Sequence, residues 1–323
     1  MRIDIFFNSP CRVLSLKMSK IFAISDLHVD IPANKRWVEC LSSSQFRHDV
    51  IIVAGDVTDN MELLKQVLGN LKMKFREVCY VPGNHELWLR TKQGFVPKYK
   101  NSIDKFHDIL KLCSSIGVHT KPLKVSNTHS NHVWIVPLFS WYTQPEEHPS
   151  DSLYVARENE DIEFSKKAWM DNHFCVWPDP LDVTPSQFFK NLNKVNISTI
   201  YDSPVISFSH FVPRFDLIPA SDRDLERVRN ERRVLGLGDL ENPTAQGSNI
   251  KLNFTRYAGC VSIEAQIRQL GSVMHVFGHQ HRNRDCMFDS VRYVSHCLGY
   301  PAERDKGLMW GLAEDQGPKQ IWP

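Results

Sequence analysis

The chain has 323 residues, 42% of them hydrophobic, with 39 Lys and Arg against 37 Asp and Glu and a net charge of +2. That length holds one large α/β domain or two smaller ones and buries a core easily. The balanced charge excludes a strong electrostatic pull toward nucleic acid or an acidic membrane, and no apolar run reaches the roughly 18 residues that a membrane span needs.

Residues 1–17 open with Ile5-Phe6-Phe7, which Asn8-Ser9-Pro10 breaks too soon for a signal-peptide core. Arg2, Arg12 and Lys17 outnumber Asp4, so an organelle-targeting leader stays open beside a plain extension. We expect an N-terminal extension over 1–18 and a single domain over 19–323. The eight cysteines form no Cys-x-x-Cys pair and read as scattered, mostly buried thiols of a reducing compartment, hence a cytoplasmic protein.

From Lys20 onward strands and helices alternate, which predicts a mainly parallel central sheet. Ile21–Ile24 and Val50–Ala54 read as buried strands, with a helix over 36–42 between them. Asn60 is placed to cap a helix whose Met61, Leu64, Leu68 and Leu71 share one face. Val78–Val81 is the next buried strand. Ile103, Phe106, Leu110 and Cys113 mark another helix, with Gly117 at its C-cap. Short strands follow at Leu123–Val125 and Val133–Val136. Two long insertions then interrupt the rhythm. The first, about 140–190, carries Trp141, Tyr142, Trp169 and Trp177 among prolines and acids; so many tryptophans argue for order. Trp141 and Tyr142 can wall a substrate site or pack the insertion down. The second, about 211–258, carries Arg and Asp/Glu in near balance. Leu225, Val228, Arg232 and Leu235 suggest an amphipathic helix capped by Ser221, with its charges on a solvated face. Val205–Phe208 and Met274–Phe277 are strands. Ile263, Ile267 and Leu270 mark a helix ended by Gly271, and Val291–Val294 reads as the last strand.

Five of these apolar runs end in polar residues of one kind. They run into Ser25-Asp26-Leu27-His28, Gly55-Asp56-Val57-Thr58-Asp59, Gly83-Asn84-His85-Glu86, Ser209-His210 and Gly278-His279-Gln280-His281. Open α/β sheets keep their ligands at the carboxyl ends of strands. Asp26, His28, Asp56, Asn84, His210, His279 and His281 therefore form one candidate ligand set. Seven N and O donors are too many for one tetrahedral ion, and none is a thiolate, which suits Mn, Fe or Zn rather than Ca or a structural Zn. Two ions about 3.5–4 Å apart, bridged by one carboxylate, would use all seven. Such a pair clamps a phosphate and generates a bridging hydroxide that attacks phosphorus in line. Any one of these motifs alone is more often a turn; five in sequence, each after an apolar run, are not. His48, His107, His119, His129, His132, His148, His173, His275 and His296 read as surface or satisfied core residues. Trp88 reads equally as pocket lining or core.

The five motifs together resemble the signature of the calcineurin-like metallophosphoesterases over about residues 19–298. The resemblance implies a four-layer α/β/β/α sandwich, an α/β fold interrupted by the two insertions, and a metal-dependent hydrolase of phosphoester bonds. It implies that Asp26, His28, Asp56 and His281 hold one metal and Asp56, Asn84, His210 and His279 the other. It makes His85 the catalytic histidine and Asp59 its supporting carboxylate. Three positions beyond Asp56, Asp59 could hold the far ring nitrogen of His85 and raise its pKa. His85 could then donate a hydrogen bond to a phosphoryl oxygen or a proton to the leaving group. Asn60 stands where Ser/Thr protein phosphatases of this superfamily carry Arg, and Val81-Pro82-Gly83 replaces their Arg-Gly, which disfavours that branch. A nuclease of the superfamily lacks support from the charge. A silent scaffold protein of the same fold would usually have lost a ligand or the histidine after Asn84, and both are present. A small phosphorylated substrate is expected; monoester, diester, pyrophosphate and oligomeric state stay open.

Overall fold

Alternation within the apolar runs decides the layers, because successive strand residues face opposite sides of a sheet. A computed structural model describes residues 19–90, 98–126, 132–158, 160–238, 252–305 and 317–323. The extension expected over 1–18 and His129 lie outside the described residues, as does part of the second insertion. The strands are β1 (Ile21–Ile24), β2 (Val50–Ala54), β3 (Glu77–Val81), β4 (Leu123–Ser126), β5 (His132–Pro137), β6 (Val205–Phe208), β7 (Ser272–Phe277), β8 (Arg284–Phe288), β9 (Val291–Ser295) and β10 (Lys319–Trp322). They form a four-stranded sheet in the order β10-β1-β2-β3 and a six-stranded sheet in the order β4-β5-β6-β7-β9-β8. β1, β2 and β3 are parallel, as are β5, β6, β7 and β9; antiparallel β10, β4 and β8 close edges.

Ile21, Ala23, Val50, Ile52, Ala54, Cys79 and Val81 of the first sheet meet Val133, Ile135, Ile206, Phe208, Met274 and Val276 of the second in one apolar layer. The alternate residues, among them Phe22, Ile51, Val53, Val78 and Tyr80, join a larger core under the helices. Two sheets face to face with helices outside make the four-layer α/β/β/α sandwich. The core strands read as continuous hydrophobic runs because both of their faces are covered.

The helices are α1 (Pro32–Cys40), α2 (Met61–Lys74), α3 (Ser102–Ser115), α4 (Ile162–Ala168), α5 (Asp171–Phe174), α6 (Pro185–Leu192), α7 (Lys194–Ser198), α8 (Asp222–Val234), α9 (Val261–Gln269) and α10 (Pro301–Asp305). Asn60 caps α2 by accepting from the amides of Glu62 and Leu63. α1 starts earlier than its apolar spacing suggests, because Pro32 sets the first-turn φ. α8 begins with a Ser221–Asp224 capping box. Its buried stripe is Asp224, Val228 and Glu231, whereas Leu235 is exposed. The stripe is rotated because Asp224 turns inward, 3.7 Å from buried Arg284. So the helix's charges do not all lie on a solvated face.

Val291–Ser295 is not the last strand, since β10 follows it and extends the first sheet. β8 and β10 escape a periodicity search because edge strands are short and polar.

The first insertion is ordered through its aromatic residues. Trp141 is buried and packs within 5.0 Å of the Trp177 ring and 5.2 Å of Phe211. Tyr142 is equally buried against Phe211 and Tyr257. Both residues pack the insertion down rather than wall a site. Trp141→Ala is expected to cost about 3 kcal/mol and to lower activity on large and small substrates by one common factor. Thermal melts with kinetics on a generic aryl phosphodiester check this. Altered substrate preference at an unchanged melting temperature would contradict it.

Candidate metal centre

Strand register brings the motifs to one edge. Ile24 of β1 pairs with Val53 of β2, Ala54 pairs with Val81 of β3, and Phe208 of β6 pairs with Val276 of β7. The chains leaving those ends stay side by side. The amide of Asp26 donates to the Gly55 carbonyl, that of His28 to the Asp56 carbonyl, and that of Gly278 to the His210 carbonyl. Ser25 bridges to Cys297 beyond β9, which joins the two sheets beside the site.

Turning the side chains inward over that edge requires unusual backbone. Asp26, His28, Asp56, His279 and His281 all have positive φ, between 41° and 72°. Non-glycine residues in that region cost of order 1–3 kcal/mol each, and Asp and His are among those that enter it most often. Two glycines permit the close approach of the donors. At Gly55 (φ 83°) a Cβ would stand 2.5 Å from His210 Nδ1, and at Gly83 it would collide with Asp56 Oδ1.

The seven predicted ligands come together. Asp26, His28 and His281 have donor atoms within 4.8 Å of one another, and so do Asp56, His210 and His279. Asn84 Oδ1 lies 3.1 Å from His210 Nε2. His28 and Asp56 also form such a group with His85, so the two clusters are contiguous. Six of the seven are buried, and the His281 side chain is 13% exposed.

For His210, His281 and His279 the free nitrogen is selected by what the other nitrogen does. His210 Nδ1 donates to the Ala54 carbonyl at 2.8 Å, leaving Nε2 toward Asp56 Oδ1 at 3.4 Å. His281 Nδ1 donates to Glu303 at 2.8 Å, leaving Nε2 2.9 Å from His28 Nε2. His279 Nε2 donates to the Tyr257 carbonyl at 3.0 Å and leaves Nδ1 inward. This is how ligating histidines are oriented. Asn84 Nδ2 donates to Asp171 at 2.8 Å, which turns its oxygen inward. Asp171 also accepts from the indoles of Trp88 and Trp169, and burial pushes its carboxyl up to about 6 against those donors.

The electrostatics ask for cations. Burial opposes charge on His210, yet Asp56 lifts it to about 9; burial likewise opposes His281, yet Asp26 and Glu303 lift it to about 10. His279, buried beside His210, drops to about 3. Protons on His210 and His281 thus stand where the carboxylates attract positive charge. Converging imidazole nitrogens and carboxylate oxygens with fixed outer partners fit a cluster of N/O-ligated metal ions.

Glu86 underlies the whole arrangement. Its fully buried carboxylate accepts from the amides of Val57 (2.5 Å), Gly83 (2.7 Å), Asp56 (3.1 Å) and Thr58 (3.4 Å). Burial, and then the charge of Asp56, push it up to about 7 against the amides of Val57 and Gly83. It ties the turn that carries Asp56 to the turn that carries Asn84.

His85 lies flat on Trp88 at 3.7 Å, beside His28 at 4.6 Å. Its Nε2 is 3.7 Å from Asp56 Oδ2, beyond hydrogen-bond reach. Asp59 is not its partner: that carboxylate faces Arg90 Nε at 2.9 Å. Trp88 is both core and neighbour of the catalytic candidate, since its indole reaches Asp171 and its face carries His85. Tyr300 stacks on His28 at 4.7 Å. Reasoning from the sequence gave no role to Glu86, Asp171, Tyr300 or Glu303. Of these only Glu86 sits inside a recognisable motif. Among the discounted histidines, His275 is buried between Ser207 and Ser209, and His119 pairs with Glu77. Neither joins the site.

Comparison with known proteins agrees with this architecture. The calcineurin-like phosphoesterase family model matches residues 19–193. The acyl-carrier-protein phosphodiesterase PptH of Mycobacterium tuberculosis is 26% identical over 310 residues, covering 90% of this chain and 81% of that protein. The crystal structure of that phosphopantetheinyl hydrolase superposes with a TM-score of 0.66 at 20% identity, covering 95% of this chain and 97% of that one. No helix among the described residues is long and apolar enough to cross a membrane. The chain belongs to the calcineurin-like phosphoesterase family, whose members are metal-dependent phosphoric ester hydrolases.

Proposed function

We propose that the chain hydrolyses a phosphodiester at a dinuclear centre, and that its substrate is a carrier protein bearing a phosphopantetheinyl group. The observation that carries the first part is the convergence of seven N and O donors whose outer partners leave the metal-binding atoms facing inward. Asp26, His28 and His281 would hold one ion and Asn84, His210 and His279 the other, with Asp56 shared. Bound there, Mn, Fe or Zn would polarise the phosphoryl oxygens and supply a hydroxide nucleophile at neutral pH. Asp171 and Glu303 keep the ligands aimed. His85, held flat by Trp88, donates a hydrogen bond to a phosphoryl oxygen as a neutral imidazole. Burial lowers its pKa, and among the described residues no carboxylate stands within hydrogen-bond range of its ring to reverse that.

The substrate assignment draws on the acyl-carrier-protein phosphodiesterase PptH, which matches 90% of this chain. In this reading residues 19–323 work as one catalytic domain interrupted by the two insertions. The test is a Mn-reconstituted sample incubated with phosphopantetheinyl carrier protein and followed by intact mass. Release of the phosphopantetheine group to leave the bare carrier supports the assignment. An unchanged carrier, with bis(p-nitrophenyl) phosphate hydrolysed under the same conditions, would refute the carrier while keeping the chemistry.

A further inference from the structure

Arg90 is placed for more than bracing. Its guanidinium carbon lies 4.6 Å from the Trp88 ring and 4.9 Å from the Phe174 ring. Trp88 in turn lies 3.7 Å from the His85 ring, so Arg90 stands one aromatic ring away from the reacting edge. Nε faces Asp59 Oδ2 at 2.9 Å, while the side chain is 54% exposed and neither Nη has a hydrogen-bond partner among the described residues. Beside it opens a recess of about 360 Å³ lined by Arg90, Lys98 and Lys105 together with Asp59 and Glu62. The Lys105 ammonium is itself fixed by the carbonyls of Asp59 and Trp88.

A surface arginine usually loses rotamer freedom when it binds an anion. Here the aromatic faces and Asp59 have already fixed the fork, which presents planar donors suited to phosphate or carboxylate. We propose that Arg90 is an anion subsite, binding a second anionic group of the substrate beside the phosphoester that is cut. The proposal rests on the reading that phosphoester cleavage occurs at the His85 edge. The second oxyanion could be a phosphate on a small molecule or a carboxylate of the protein that carries the ester, and matched substrates separate the two.

One pair is thymidine 5′-(p-nitrophenyl phosphate) with and without a 3′-phosphate. The other is phosphopantetheinyl carrier protein and the methyl ester of 4′-phosphopantetheine. Arg90→Met keeps the aliphatic stem on Trp88 and removes the charge; Arg90→Lys keeps the charge and loses the fork. In at least one pair, Arg90→Met should lose about tenfold more kcat/KM on the substrate with the second anion, mostly through KM. Arg90→Lys should recover part of that loss, and the wild-type preference should shrink with added salt. The pair that shows the bias names the source. Equal losses within both pairs, with Arg90→Lys no better than Arg90→Met, would overturn the subsite and leave Arg90 a brace for Trp88. Failure of the wild type to cleave any of the four would instead strike the phosphoester reading on which the subsite depends.

Discussion

His85→Asn is expected to keep its metals and slow phosphodiester hydrolysis about 10²–10³-fold, the usual loss for one preorganised donor at a developing charge. The factor should be the same for p-nitrophenolate and for alkoxide leaving groups. A proton donor would show a larger loss with alkoxides, which need protonation to depart. The structure argues for the donor of a hydrogen bond. An imidazolium at His85 would need a carboxylate at its ring, and the candidate, Asp59, faces Arg90. Asp56 is 3.7 Å away, and His28 crowds the other side. Rates on a series of aryl and alkyl diesters, with metal content measured on the same samples, check this. A steeper leaving-group dependence in the variant would show that His85 does transfer a proton.

Glu86→Ala is expected to abolish stable folding rather than merely activity. The substitution leaves the buried amides of Val57, Gly83 and Asp56 without their acceptor. At about 2 kcal/mol for each orphaned buried amide the loss is about 6 kcal/mol, a large part of a typical domain's 5–15 kcal/mol. Glu86→Gln keeps the shape and one acceptor oxygen, so it should fold with a clearly lowered melting temperature and weakened metal binding. Circular dichroism melts of both variants test this. A stable Glu86→Ala with normal metal content would show that the two turns hold their shape without the carboxylate.

The candidate ligand set was legible in the sequence because a strand that ends in Asp, Asn or His repeats one recognisable exception to apolar patterning. The residues that aim the ligands were not. Ala54 and Tyr257 act through backbone carbonyls, which any residue supplies. Asp171 stands alone among basic and aromatic neighbours and Glu303 in a short run of mixed charge, neither beside a ligand motif, and only the fold brings them to Asn84 and His281. Asp59 takes its expected role from the resemblance and from its nearness in sequence to Asp56, but it faces Arg90, four positions past Glu86. The same contrast holds for the fold. Strands buried on both faces announce themselves, whereas β8 and β10 sit at edges and mix charged with apolar residues. The α8 stripe was misplaced because a buried ion pair, Asp224 with Arg284, looks like surface in any apolar count.

The dinuclear centre is tested most directly by elemental analysis of the reconstituted protein beside two ligand variants. Wild-type protein should approach about two Mn, Fe or Zn ions per chain. Asp56→Asn should lose occupancy at both positions, because the proposed centre shares that carboxylate between its two ions, whereas His210→Ala should lose mainly one. A fully active wild type holding a single tightly bound ion, undisturbed by His210→Ala, would contradict the account.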